Sequence, residues 1–142
     1  MNQIPKINQV ITIQRGDLEM KEKSLFRFRA WDTHEEVMNR VDYIDFANGV
    51  VGLSNENVKD YEQPIHRVKF MPSTGLKDKK GLEIYEGDIV GEKNADNEEI
   101  VVEVVWRKGA FYGKEKGFEP EYLVVDFLEG EVIGNRYENK EL

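Results

Sequence analysis

The sequence predicts a mainly β chain with at most minor helix, built as a sandwich or a small barrel. Three observations carry this. Residues 25 to 31, LFRFRAW, alternate in polarity with a period of two. Asn48-Gly49 stands between two apolar runs, the signature of a tight hairpin. The remaining apolar runs are short and punctuated by Gly and Asp.

Residues 1 to 24 read as an N-terminal extension. Val10 to Ile13 is β-branched throughout and suits an edge strand, and RGDLEMKEKS then reads as a polar linker. Met20 within it is an alternative start, and the RGD tripeptide at Arg15 to Asp17 is too unspecific to carry an adhesive role. In LFRFRAW, alternation places Phe26, Phe28 and Ala30 on one face and Arg27 and Arg29 on the other, a half-buried strand. Thr33 and Glu36 then have capping-box spacing, which predicts one helical turn.

VDYIDFANGVVGL predicts a hairpin with a type I′ turn at Asn48-Gly49, because both residues tolerate positive φ. A helix through 33 to 47, using Val37, Val41 and Ile44, is the competing reading. SNENVKDYEQP reads as a polar loop. IHRVKFM reads as an alternating strand with His66, Val68 and Phe70 on one side, ended by Pro72. DIVGEK and EIVVEVVW are strands joined by the turn-rich NADNE. GAFYG and KGFEPE flank a short excursion, and EYLVVDF and EVIGNRY, separated by LEG, are the last two strands. There is no internal repeat and no low-complexity tract.

The 142 residues suffice for one domain with its own core. There is no cysteine, which excludes a disulfide framework, thiolate zinc sites and a cysteine nucleophile. No apolar run approaches the roughly 18 residues that span a bilayer, and the N-terminus lacks the pattern of a secretory signal. Net charge is −8 and uneven. Residues 1 to 82 hold 13 Lys+Arg against 12 Asp+Glu; residues 83 to 142 hold 7 against 16. This balance opposes direct nucleic-acid binding and suits solubility or a basic partner.

The least ordinary stretch is STGLKDKKGLEIYEGDIV, residues 73 to 90. In an extended segment Glu86 and Asp88 share a face while Glu83 looks elsewhere. Two such carboxylates suit a divalent cation or an acid–base pair. The competing reading is a solvated turn in which Asp88 accepts backbone N–H bonds. Gly75 and Gly81 lack the spacing and the following helix of a phosphate-binding loop. Lys77, Asp78, Lys79 and Lys80 therefore read as a lysine-decorated hairpin tip, with a weak anion site as the alternative. His34 and His66 have no ligand spacing, and Ser24, Ser54 and Ser73 have no nucleophile-elbow setting. Trp31 and Trp106 each end an apolar run, with Phe111 and Tyr112 close behind. A partner-binding aromatic cluster is one reading, and core is the expected place of Trp106.

FRFRAWD, TGLKDKKGLEIYEGDIV and EVIGNRYENKEL occur in that order. Together they resemble the YopX-like family of phage and prophage proteins, over residues 25 to 142. The middle motif is the most specific, and residues 1 to 24 depart from the family pattern. The resemblance implies one predominantly β domain over 25–142 with a small SH3-like, pseudo-barrel core and additional hairpins. It implies an accessory protein in the cytoplasm of a bacterial host. It carries over no catalytic residue, cofactor or metal. In that setting YEGDIV reads as the start of a core strand, with Gly87 turning the chain and Asp88 fastening the turn.

The expected function is non-enzymatic, binding to a phage or host protein or assembly into a homo-oligomer, without a membrane. The candidate interaction residues are Lys77, Asp78, Lys79, Lys80, Tyr85, Glu86, Asp88, Trp31 and Trp106. One alternative is an acidic mimic of nucleic acid that inhibits a host nucleic-acid enzyme. A further alternative is an enzyme or nucleotide-binding domain using Lys77, Lys79, Glu86 and Asp88 with a divalent ion.

Overall fold

The computed structural model describes residues 27–118, 122–123 and 129–142. The extension at 1–24, Phe26, and most of EYLVVDF lie outside the described residues.

The chain is mainly β. Strands β1 (Phe28–Asp32), β2 (Val37–Asp45), β3 (Val50–Ser54) and β4 (Tyr61–Pro64) are followed by a 3₁₀ turn, Ile65–Arg67. β5 (Val68–Lys77) and β6 (Glu83–Tyr85) complete a six-stranded antiparallel sheet in the order β4-β3-β2-β1-β5-β6. β7 (Asp88–Lys93), β8 (Glu99–Arg107), β9 (Ala110–Glu115), β10 (Tyr122–Leu123) and β11 (Glu131–Asn135) form a second sheet, β10-β9-β8-β7-β11. No closed barrel is present among the described strands. No described helix is long and apolar enough to cross a membrane.

Each sheet has its own core. Ala30, Val51, Leu53 and Val68 pack together in the first. Val90, Val102 and Val104 pack in the second, joined by Ile84 from β6. Ile84 thus belongs to the ladder of one sheet and the core of the other.

Several local expectations are corrected. Residues 33–36 form a turn with no helix, and Asp32 caps it in place of Thr33. The Asp32 carboxylate accepts the N–H groups of His34 and Glu35 at 2.9 and 3.0 Å. With Glu36 at φ +54 the chain turns straight into β2, so the helix reading of 33–47 fails as well. The β2–β3 hairpin forms, but through a four-residue turn, 46–49. Only Gly49 has positive φ there; Asn48 instead donates to Asp45 from its backbone and its side chain, at 3.1 and 2.7 Å.

The polar loop ends early, because Tyr61–Pro64 pairs with β3. Pro72 does not end β5. It sits opposite Phe28, and the Ser73 N–H resumes the bonding with Arg27 O at 2.7 Å, so the strand continues to Lys77. His66 lies exposed in the 3₁₀ turn and does not share a strand face with buried Val68.

Candidate functional site

The chain passes from one sheet to the other within two residues. The Glu86 N–H donates to Pro72 O of β5 at 2.9 Å. The Gly87 N–H donates to Val104 O of β8 at 2.7 Å, and Gly87 O accepts the Arg136 N–H at 2.9 Å. Gly87 has φ +89, a conformation natural to glycine alone. A Cβ there would stand 3.2 Å from Met71 Sδ and 3.3 Å from Arg136 Nε. Both the turn and the close approach favour glycine at this point.

Around this crossing lies a set of ion pairs. Arg27 donates to Glu83 at 2.6 Å, Arg29 to Asp88 at 2.5 Å, and Arg136 to Glu86 at 2.6 Å. Arg136 also lies 3.4 Å from Glu103 on β8. Asp88 is buried and accepts the Tyr85 N–H at 2.7 Å. The Arg29 guanidinium stands 4.7 Å above the Tyr85 ring. Trp31 stacks on Tyr137, with ring centroids 5.5 Å apart and planes within 7°. The three stretches that carry the resemblance therefore meet at one junction.

The electrostatics follow from burial. Burial raises the pKa of Asp88 despite the opposing pull of Arg29. Burial likewise raises Glu86, against the nearby Arg136 charge. For Arg136, burial disfavours the charged form, but Glu86 and Glu103 outweigh it and raise the pKa. Burial and the Glu83 carboxylate push the Tyr85 hydroxyl up to about 12.

Chemically, the junction is committed to itself. Glu86 and Asp88 do not act as one face: the turn at Gly87 sends Glu86 to Arg136 and Asp88 to Arg29. A divalent ion bridging them would have to displace both guanidinium groups. Asp88 does fasten the turn through a backbone N–H, but in a buried site and not a solvated one.

The lysine tip is also more constrained than its composition predicts. Asp78 is buried and accepts the N–H groups of Lys80, Leu82 and Val132 at 2.9, 2.8 and 2.9 Å. Burial pushes its pKa up, but these three donors outweigh burial and hold it below the ordinary carboxylate range. Lys79 and Lys80 reach Glu131 at 3.6 and 3.3 Å, and Lys77 is exposed. The tip is thus docked on the start of β11.

Trp31 is half-buried at the junction, whereas Trp106 is 55% exposed, against the expectation of core. Val102 and Val104, on the same face of β8, fill the core, and Trp106 lies two residues beyond it against the Phe111 edge. His34 and His66 are exposed. Ser54 donates to Asp42, and Ser73 accepts the Gly75 N–H. Ser24 lies outside the described residues.

Sequence reasoning missed Arg27, Arg29, Glu103, Arg136 and Tyr137 as site residues. The signal for two of them was present: arginines alternating with apolar residues in a strand must face something, and here the facing groups are Glu83 and Asp88.

No curated protein matches the chain. Two solved structures are similar to it. The crystal structure of protein EF1440 from Enterococcus faecalis is 27% identical, with TM-score 0.60, covering 82% of this chain and 96% of that one. The crystal structure of protein yopX from Bacillus subtilis is 26% identical, with TM-score 0.55 and the same coverages. The family described as YopX protein matches residues 27–142, a span that holds the three junction motifs except for Phe26, and the chain belongs to that family.

Proposed function

We propose that this protein is a non-enzymatic accessory protein of a phage or prophage that works by binding another protein. One observation carries the reading. The charged groups at the junction are paired with one another, Arg27 with Glu83, Arg29 with Asp88 and Arg136 with Glu86, while large aromatic side chains stand in solvent. Phe46, at the tip of the β2–β3 hairpin, is 80% exposed, and Phe118, just after β9, is 65% exposed. Trp106 joins them near the β8–β9 turn. Exposed aromatics are the side chains that anchor protein interfaces, because they bury large areas at low entropic cost.

The acidic-mimic alternative needs an unbroken row of carboxylates. Register sets Lys93 opposite Glu99 and Lys114 opposite Glu103, which interrupts such a row on that face of the second sheet. The surface therefore favours a protein partner. The test is affinity capture from bacterial host extract with wild type and a Phe46→Ser/Trp106→Ser/Phe118→Ser variant. A partner held by wild type and lost by the variant is expected. No specific partner, or equal capture by both, would count against the reading.

A further inference from the structure

Resting on that reading, we infer that the groove between β9 and the C-terminal turn receives an acidic segment of the partner that carries an apolar side chain. The groove lies on the face of the second sheet opposite its core and encloses about 440 Å³. Ile89, Val101 and Leu142 give it an apolar lining, and its charged lining is Lys114, Lys116 and Lys140 against Glu103 and Glu115. A volume of this size suits one anchoring side chain and its neighbours.

The charge pattern selects the occupant. Lys114 stands directly opposite Glu103 in the β8–β9 register, the natural partner for an ion pair. The Glu103 carboxylate is instead within 3.4 Å of Arg136, at the junction. No carboxylate of the described residues lies within ion-pair distance of Lys114, Lys116 or Lys140. Glu115 also lines the groove, but it pairs with the core residue Val102 and so belongs to the opposite face from Lys114. Among the described residues these are three ammonium groups without a carboxylate partner, set over apolar side chains in a chain of net charge −8. Lysines are point charges on flexible stems, so the site favours several carboxylates along a peptide over one planar anion.

The test titrates the ¹⁵N-labelled full chain with the blocked peptide Glu-Glu-Leu-Glu-Glu at low salt. Its uncharged analogue Gln-Gln-Leu-Gln-Gln is the control. Amide shifts confined to Val101, Lys114, Lys116, Lys140 and Leu142 are expected with the acidic peptide only, and salt should suppress them. The Lys114→Gln/Lys116→Gln/Lys140→Gln variant, its other amides unchanged, should bind about tenfold more weakly, as three exposed charge contacts would require. Absence of shifts, equal shifts with the control peptide, or unaltered binding by the variant would overturn the groove assignment. Host-extract capture with the same variant separates the two readings: a partner retained by it leaves protein binding standing and removes the groove.

Discussion

Arg29 on β1 donates to Asp88 on β7, and this one contact ties the central strand pair of the first sheet to the first strand of the second. The carboxylate is 1% exposed, so the pair is not a surface ornament. Removing one partner strands the other charge. Asp88→Ala should therefore cost about 3 kcal/mol in urea unfolding, and Arg29→Ala a similar amount. The paired replacement Arg29→Met/Asp88→Leu should recover much of the loss, since neither charge is then buried alone.

Acid should act on two carboxylates with opposite sign. The folded pKa of Asp78 is lowered, so its contribution is present above the unfolded value and is lost as pH falls through the folded one. The folded pKa of Asp88 is raised, so its contribution is fully present below the unfolded value and is lost as pH rises through the folded one. The stability gap between wild type and Asp78→Asn should thus shrink on acidification, and that for Asp88→Asn should grow. Urea midpoints between neutral pH and the acid limit of folding measure both slopes.

Gly87 and Gly109 separate backbone strain from crowding. Their φ values are +89 and +82, but a Cβ at Gly109 would meet nothing within 4 Å. Gly109→Ala should cost about 1 kcal/mol, the conformational term alone. Gly87→Ala should cost more, about 1–3 kcal/mol, since Met71 and Arg136 must also shift. Thermal unfolding of the two variants side by side checks the order.

Trp31 and Tyr137 hold the segment after β11 against β1. Tyr137→Ala should remove a stacking contribution of about 0.5–1.5 kcal/mol beyond the lost area. The loss should appear first in hydrogen exchange at residues 135–138, while the Val102 and Val104 amides remain protected.

The two tryptophans should differ in solution. Trp106 should be quenched readily by acrylamide, and Trp106→Phe should change stability by no more than about 0.5 kcal/mol. Trp31→Phe should leave emission dominated by an exposed indole. Fluorescence of the two single-tryptophan proteins decides it.

Strand positions were legible because period-two alternation survives folding: DIVGEK and EIVVEVVW became β7 and β8 nearly as written. Turns were less legible. Thr33–Glu36 has the spacing of a helix cap, yet the preceding Asp32 satisfies the free N–H groups and the chain re-enters a strand. The site was legible only in part. Glu86, Asp88 and Tyr85 stood out because they cluster in sequence. Their arginine partners did not, because Arg29 and Arg136 reach them only through the pairing of distant strands. Trp106 was misplaced because size argues for burial, whereas position along β8 decides it.

The junction also has a tempo. Its three hydrogen-bonded ion pairs join residues 56, 59 and 50 positions apart. Contacts of that span form late, after local hairpins such as β2–β3 and β8–β9 have already closed. The hairpins can be quick, but completing the molecule waits on a search across about two-fifths of its length. Interactions made after the rate-limiting step act chiefly as brakes on unfolding. In this protein those brakes are the arginines at 27, 29 and 136, and their removal should show in how fast the native state is lost more than in how fast it is reached.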